Sequence, residues 1–263
     1  MRIALLSTAA LVVVSAAVAQ SPAPTTEPSY SAAGIVNSAS NAPDALAPNA
    51  IATVYGTNLS YSTGSAFSIM PTAGALPEEL HAVHVYVGGL PAPLYYVSPT
   101  QINFLIRADF RAGDVDFFTT HDGLAGPHVK LTLHDAGPAL YPWGPGMIAS
   151  THADGSIITK DHPAHAGETV VVYGTGLGKT DPQVESGSIS MVAAQIQLLK
   201  ELEVLVAGTA LDSKSVQYAG VTPGLPGLYQ VNLVLPKQVK VDPEIRIAIG
   251  SQVSPAGMKL PLR

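Results

Sequence analysis

Gly174-Thr175-Gly176-Leu177-Gly178-Lys179-Thr180 has the clearest claim to chemistry, because glycine-rich turns ending in Gly-Lys-Thr cradle phosphates in nucleotide-binding loops. The spacing fails. Such a loop needs a glycine five positions before Gly178, and position 173 is tyrosine. A dinucleotide fingerprint needs its glycines to open a helix, whereas Asp181-Pro182 follows here. Two histidine pairs, His81-x-x-His84 and His162-x-x-His165, have the residue type for metal ligation. On a strand, positions i and i+3 face opposite sides, so only a loop would bring either pair together. No carboxylate recurs beside them at a matching place, and they read as surface or turn histidines. Asp114 and Asp116 share one face of a strand, as paired acids would, but Asp-x-Asp beside a turn reads as a solvated edge. Gly-x-Ser-x-Gly and Ser-x-x-Lys nucleophile motifs and Asp-x-Asp-x-Asp-Gly calcium loops are missing from the sequence. Cysteine is absent, which removes thiolate catalysis, disulfides and cysteine-ligated zinc. The expectation is a protein with no catalytic, metal-binding or cofactor-binding residues.

The elements that would hold any such residues occur twice. Ala-Pro-Asn-Ala-Ile-Ala-Thr-Val-Tyr-Gly-Thr-Asn-Leu-Ser (47–60) returns as His-Ala-Gly-Glu-Thr-Val-Val-Val-Tyr-Gly-Thr-Gly-Leu-Gly (165–178). Gln101-Ile102-Asn103 returns as Gln230-Val231-Asn232, and Lys130–Leu133 returns as Lys259–Leu262, at one common offset. A self-match of this length means two copies of one domain. The glycine turn of the second copy then corresponds to Gly56-Thr57-Asn58-Leu59-Ser60, which has no lysine. What the copies share is a tight turn, with Gly or Asn where φ is positive. They also share Tyr96/Tyr218 and the Gln-x-Asn amides. Those amides lie on one strand face, able to tie a neighbouring loop to the sheet or to form a ligand ladder, and their presence in both copies favours scaffold.

Short runs rich in β-branched and aromatic residues, bounded by Gly, Pro, Asn or Asp, predict strands at 51–55, 83–87, 102–106, 115–119, 129–133, 169–173, 203–206, 229–235 and 245–249. Asp154-Gly155 marks a hairpin turn in the second copy, and 195–203 reads as a helical turn or two. Spacing near ten residues predicts an all-β protein: two tandem immunoglobulin-like antiparallel β-sandwiches, over residues 34–136 and 137–263. The Pro- and Gly-rich stretch 137–146, with Tyr141 and Trp143, forms a packed junction.

Residues 1–19 read as an export signal: Arg2, an apolar run from Ile3 to Val18, and Ala17-Val18-Ala19 before Gln20. The apolar core is short for a membrane span, so secretion is expected, with no integral membrane segment after signal removal. Residues 20–33, rich in Pro, Ser, Thr and Ala, read as an extended tether. The net charge is −6 with no basic cluster, which argues against nucleic acid as a partner.

Several strings carry a resemblance. Gly34-Ile-Val-Asn-Ser-Ala-Ser, Tyr55-Gly-Thr-Asn-Leu, Pro91-Ala-Pro-Leu-Tyr-Tyr-Val-Ser-Pro-Thr-Gln-Ile-Asn103 and Pro223-Gly-Leu-Pro-Gly-Leu-Tyr-Gln-Val-Asn232 resemble the uncharacterised acidobacterial (Solibacter-type) carboxy-terminal domain family of exported proteins. The resemblance implies tandem IPT/TIG-like folds, and the family offers no assigned activity and no catalytic residues to carry over. Val206–Leu211 departs from the family pattern, where a Gly-Gly-x-Pro-Ala string is usual.

Function narrows to three classes. The first is a secreted or cell-surface binding or structural protein whose partner is a protein or glycan. Its expected partner-binding loop is 88–96, with Leu90, Leu94, Tyr95 and Tyr96 as anchors, unless the loop packs into the core. The second is a carbohydrate-binding module, which an exposed aromatic set drawn from Tyr95, Tyr96, Trp143 and Tyr229 would support. The third is an exported hydrolase with an unrecognised site, which needs a pocket holding a perturbed His or carboxylate.

Overall fold

The computed structural model describes residues 26–43, 45–68, 74–189 and 191–263. The expected signal peptide and residues 20–25 of the tether lie outside the described residues. The described residues build an all-β fold with antiparallel sheets. In the first half the strands are β1 (Ile35–Asn37), β2 (Ile51–Tyr55), β3 (Gly64–Ser65), β4 (Val83–Val87), β5 (Leu90–Pro91), β6 (Leu94–Val97), β7 (Gln101–Leu105), β8 (Gly113–His121), β9 (Leu124–Ala125) and β10 (Val129–Leu133). They form two sheets, ordered β1-β2-β7-β6-β3 and β10-β8-β4-β5. The second half contributes β11 (Ala139–Leu140), β12 (Ser150–His152), β13 (Thr169–Thr175), β14 (Thr180–Asp181), β15 (Gln195–Ile196), β16 (Leu202–Val206), β17 (Thr209–Ala210), β18 (Val216–Val221), β19 (Tyr229–Val234), β20 (Ile245–Ile249) and β21 (Gln252–Val253). Its sheets run β11-β13-β19-β18-β15-β14 and β17-β16-β20-β21. Each pair of sheets closes on its own apolar core, and the result is two immunoglobulin-like sandwiches in tandem.

Period-2 alternation builds these cores. In β4, Val83, Val85 and Val87 are buried while His84 and Tyr86 stand on the other face; β19 alternates in the same way from Tyr229 to Val234. The Asp154-Gly155 hairpin forms, with the Asp154 carboxylate accepting from Ser156 N–H at 2.9 Å. The helical reading of 195–203 reduces to strand β15 and one 3-10 turn, Leu199–Glu201.

Two expectations need correction. The tether is shorter than expected, because residues 28–30 pack on the first sandwich. Ser29 and Thr57 exchange backbone hydrogen bonds at 2.9 Å, and the Tyr30 ring meets Phe117 edge-on at 5.5 Å. The repeat explains this. A side chain at Gly56 would strike Ser29 O, just as one at Gly174 would strike Ala139 O, so Ser29-Tyr30 crosses the first sandwich as Ala139-Leu140 crosses the second. Pro- and Ser-rich composition hid a segment that the fold uses. The second correction concerns the loop 88–96, which is mostly strand. Leu94–Val97 lies between β7 and β3, and Leu94 is fully buried in the first core. Alternation failed to reveal β6 because its register slips between Leu94 and Tyr96, leaving Tyr95 as an extra residue. A bulge of this kind puts two consecutive side chains on one face.

Candidate functional site

The glycine turn 174–178 serves the junction between the halves. Gly176 and Gly178 have φ of +78° and +87°, and a side chain on either would strike the backbone of 135–137. Asn58, at φ +55°, takes the matching place in the first copy. Gly137 N–H donates to Gly176 O at 2.7 Å, so the linker is pinned across the turn where a phosphate would otherwise sit.

From this turn a network of buried polar contacts locks the sandwiches together. Thr175 Oγ1 donates to Gly227 O (2.8 Å) and accepts from Ile51 N–H of the other sandwich (2.9 Å). Asn49 Nδ2 donates to Tyr229 Oη (2.8 Å), and the Tyr229 hydroxyl donates to Gly178 O. Asn37 Nδ2 donates to Gly137 O (3.0 Å), and Tyr95 Oη donates to Pro226 O. Ser38 and Tyr141 hydroxyls meet at 2.6 Å. A small apolar core of Ala66, Leu76, Tyr95 and Leu105, with Ile189 and Leu225 against it, fills the seam. Burial pushes the Tyr141 phenol up to about 12 against the opposing hydrogen bonds from Ser38 and Thr175, and it raises Tyr95 and Tyr229 as well. These phenols stay neutral and act as fixed hydrogen-bonding groups.

Beside the seam a cleft of about 460 Å³ opens over the outer face of β2, β7 and β6. Its floor is Thr53, Gln101 and Asn103; its walls are Tyr95, Tyr96 and Tyr141, with Leu225 and Leu228 from the second sandwich. Tyr55 (43% exposed) and Phe67 (58% exposed) stand at the rim. Among the described residues no acidic or basic side chain lines it. On the floor, Asn103 Oδ1 accepts from Gln101 Nε2 (2.8 Å) and from Thr53 Oγ1 (3.0 Å). The amides therefore bond each other along the strand, and do not tie a loop's backbone as expected. The volume falls in the range of about 300–1,000 Å³ typical of small-ligand sites.

The expected loop anchors separate. Leu94 is core, Tyr95 (5% exposed) is seam and cleft wall, Tyr96 lines the cleft, and Leu90 is exposed at a hairpin away from it. Of the other aromatic candidates, Tyr229 is wholly buried, and Trp143 is 53% exposed but outside the cleft. Tyr55, Phe67 and Tyr141 were missed, because their convergence depends on how two copies dock. A second aromatic row, also unforeseen, runs along the outer face of β4, β8 and the following turn. Tyr86 stacks on Phe118 (4.6 Å) and Phe118 on His128 (4.3 Å). Those rings stack on one another along the sheet, with Phe118 between the other two.

The titratable candidates resolve into structural pairs. His81 Nδ1 meets Ser62 Oγ at 2.9 Å while His84 faces Glu79 at 3.4 Å, so that pair is split. Asp116 pairs with His128 (2.6 Å) and Asp114 accepts from Thr132 Oγ1 (2.7 Å). Glu168 sits between His152, which it hydrogen-bonds, and His165 at 3.7 Å, a carboxylate that the histidine spacing had not revealed. Burial works against the charged forms of both partners, yet their mutual contact prevails: the His152 pKa is raised and that of Glu168 lowered. No group of three or more metal-ligating side chains converges among the described residues. Nor does any helix among them reach the length and apolarity needed to cross a membrane.

No protein-family model matches the chain, and no curated protein sequence matches it. Solved structures similar to it include the plexin A4 extracellular region (12% identity, TM-score 0.30, covering 92% of this chain and 19% of that one). They also include SGBP-B of the Bacteroides ovatus mixed-linkage glucan utilization locus, in complex with a mixed-linkage heptasaccharide (11%, TM-score 0.32, 84% and 44%). A surface glycan-binding protein from Prevotella bryantii is similar at 11% identity and TM-score 0.27, covering 89% and 42%. This chain thus spans less than half the length of each of the three. Likenesses of this depth carry no inference about what the chain binds.

Proposed function

We propose that this chain is an exported, non-catalytic binding protein that captures a carbohydrate in the cleft between its two sandwiches. One observation carries the reading: the cleft combines exposed aromatic rings with amides and hydroxyls, and none of its described lining residues is charged. Sugars present C–H faces that pack on rings, and hydroxyls that each donate and accept, so they suit such a surface. The rigid seam supports it further, since a pre-formed site spends little free energy on ordering. In this reading residues 1–19 are removed on export, the protein acts at the cell exterior, and it belongs to the Solibacter-type family that its sequence strings resemble. The sandwiches 34–136 and 137–263 work as one body, with Tyr95 as wall and Tyr96 as contact. Docking of a protein partner on the loop 88–96 loses support, because Leu94 and Tyr95 are buried.

Affinity electrophoresis of the mature chain through gels containing soluble polysaccharides tests the proposal. Retardation by at least one polysaccharide is expected, and Phe67→Ala should weaken it up to about tenfold, since an aromatic contact is worth about 0.5–1.5 kcal/mol. Unretarded migration across a broad panel would refute it.

A further inference from the structure

The internal repeat supplies a second copy of the cleft floor, and the two copies differ at one phenol. Tyr96 and Tyr218 hold matching places. Each follows a bulge, Tyr96 faces Asn103 across the ladder, and Tyr218 faces Asn232. The Gln230 amide donates to Asn232 Oδ1 at 3.1 Å, as Gln101 does to Asn103. In the second copy the Tyr218 hydroxyl is held by its own backbone, 3.2 Å from Ala194 O and 2.9 Å from Val221 O. It reaches them over Gly220, where an added side chain would lie 2.5 Å from the phenol oxygen. The residue matching Gly220 in the first copy is Ser98, whose hydroxyl turns back onto Gln101. A side chain at that place bars the backbone-bound position, and the Tyr96 hydroxyl has no hydrogen-bond partner among the described residues while its ring lines the cleft.

The amides beside it are also set for an external partner. Both acceptor sites of Asn103 Oδ1 are filled, by Thr53 and Gln101, so its Nδ2 points its donors elsewhere. Gln101 Oε1 remains an acceptor. The matching place to Thr53 in the second copy is Val171, which cannot fix the amide in this way. The first copy alone therefore presents a phenol, an amide donor and an amide acceptor on one floor, under the rings of Tyr55 and Phe67. A charged ligand would lose its hydration there and find no counter-charge among the described lining residues. An uncharged polyol would find a partner for each hydroxyl.

We infer that the first copy, and not the second, reads a neutral oligosaccharide, with Tyr96, Gln101 and Asn103 as its polar contacts. This rests on the reading of the cleft as a carbohydrate site and narrows its ligand. The test uses the full mature chain in gels containing hydroxyethylcellulose, galactomannan or arabinoxylan as neutral probes, and polygalacturonate or alginate as acidic ones. Retardation by a neutral probe is expected, unchanged in 0.5 M salt because screening acts on charge pairs, with none by the acidic probes. Tyr96→Phe and Asn103→Asp should each weaken neutral binding by roughly tenfold, the loss of one hydrogen bond in a site built for it. Tyr218→Phe and Asn232→Asp should leave it within about twofold, as distant substitutions do. Thermal melting gives a reading free of any ligand: Tyr218→Phe should lower the midpoint and Tyr96→Phe should not. Retardation by acidic probes alone would overturn the neutral-ligand inference while leaving the cleft as a glycan site. Equal losses from both copies, or none from Tyr96→Phe and Asn103→Asp, would overturn the assignment to the first copy. Failure of every probe, neutral and acidic, would overturn the cleft reading itself.

Discussion

Replacing Thr175 by valine removes one hydroxyl where the two sandwiches meet while keeping the shape of the side chain. Thr175 is fully buried, and its Oγ1 serves two partners: Gly227 O within its own sandwich and Ile51 N–H across the seam. Valine leaves both without a partner. A buried group so stranded costs about 1–3 kcal/mol. Ile51 is half-buried, so its share falls at the lower end, and a total of about 2–4 kcal/mol is expected for the intact chain. In a fragment covering 137–263 only the Gly227 bond exists, so the same substitution should cost about 1–2 kcal/mol. The difference between the two measures docking. Urea titration of both proteins, with unchanged m-values, gives the free energies directly. Thr175→Ser keeps the hydroxyl and should recover most of the loss. Equal costs in fragment and intact chain would show that the hydroxyl does not join the sandwiches, and the rigid seam would have to be given up.

Three further outcomes are expected. His152 has a raised pKa in the fold, so its contribution is complete below the unfolded value near 6.5 and fades as pH rises through the folded value. Glu168 has a lowered pKa, so its contribution is complete above the unfolded value near 4.3 and fades as pH falls through the folded value. Thermal stability should therefore peak between about pH 4.5 and 6.5, and Glu168→Gln should flatten that peak; an unchanged profile would exclude the pair as its origin. Tyr30 Oη donates to Pro127 O (2.8 Å) and accepts from Thr119 N–H (2.9 Å), so Tyr30→Phe should lower unfolding free energy by about 1–3 kcal/mol. A free tether would show no change. Intact-mass analysis of secreted material should find a chain beginning at Gln20, and a cell-bound protein retaining residues 1–19 would contradict export.

Strands such as β4 and β19 were legible because one buried face and one open face impose period 2 on the residues. The repeat was legible for the same reason that it folds twice: Gly56 and Gly174 each leave room for a crossing strand. β6 was not legible, since its bulge turns Leu94-Tyr95-Tyr96-Val97 into an in-out-out-in order that resembles a loop. The tether was drawn too long because Ser29-Tyr30 matches Ala139-Leu140 in place and not in residue type. The cleft was legible only in part: Tyr95, Tyr96 and the Gln101/Asn103 amides were candidates, but their meeting with Tyr55, Phe67 and the second sandwich was not. Its floor comes from 53–103 and its far wall from Tyr141 and Leu225–Leu228, and a repeat read copy by copy says nothing of surfaces that form only when the copies dock.

In the proposed reading the cleft is where this protein meets its ligand. A crystal structure of the mature chain soaked with a neutral hexasaccharide cut from whichever polysaccharide retards it would test this most directly. Sugar rings should lie over Gln101 and Asn103, between Phe67 and Tyr96, with the second copy's Gln230–Asn232 face bare. Ordered sugar only along the Tyr86–Phe118–His128 row, or only on the second sandwich, would contradict it.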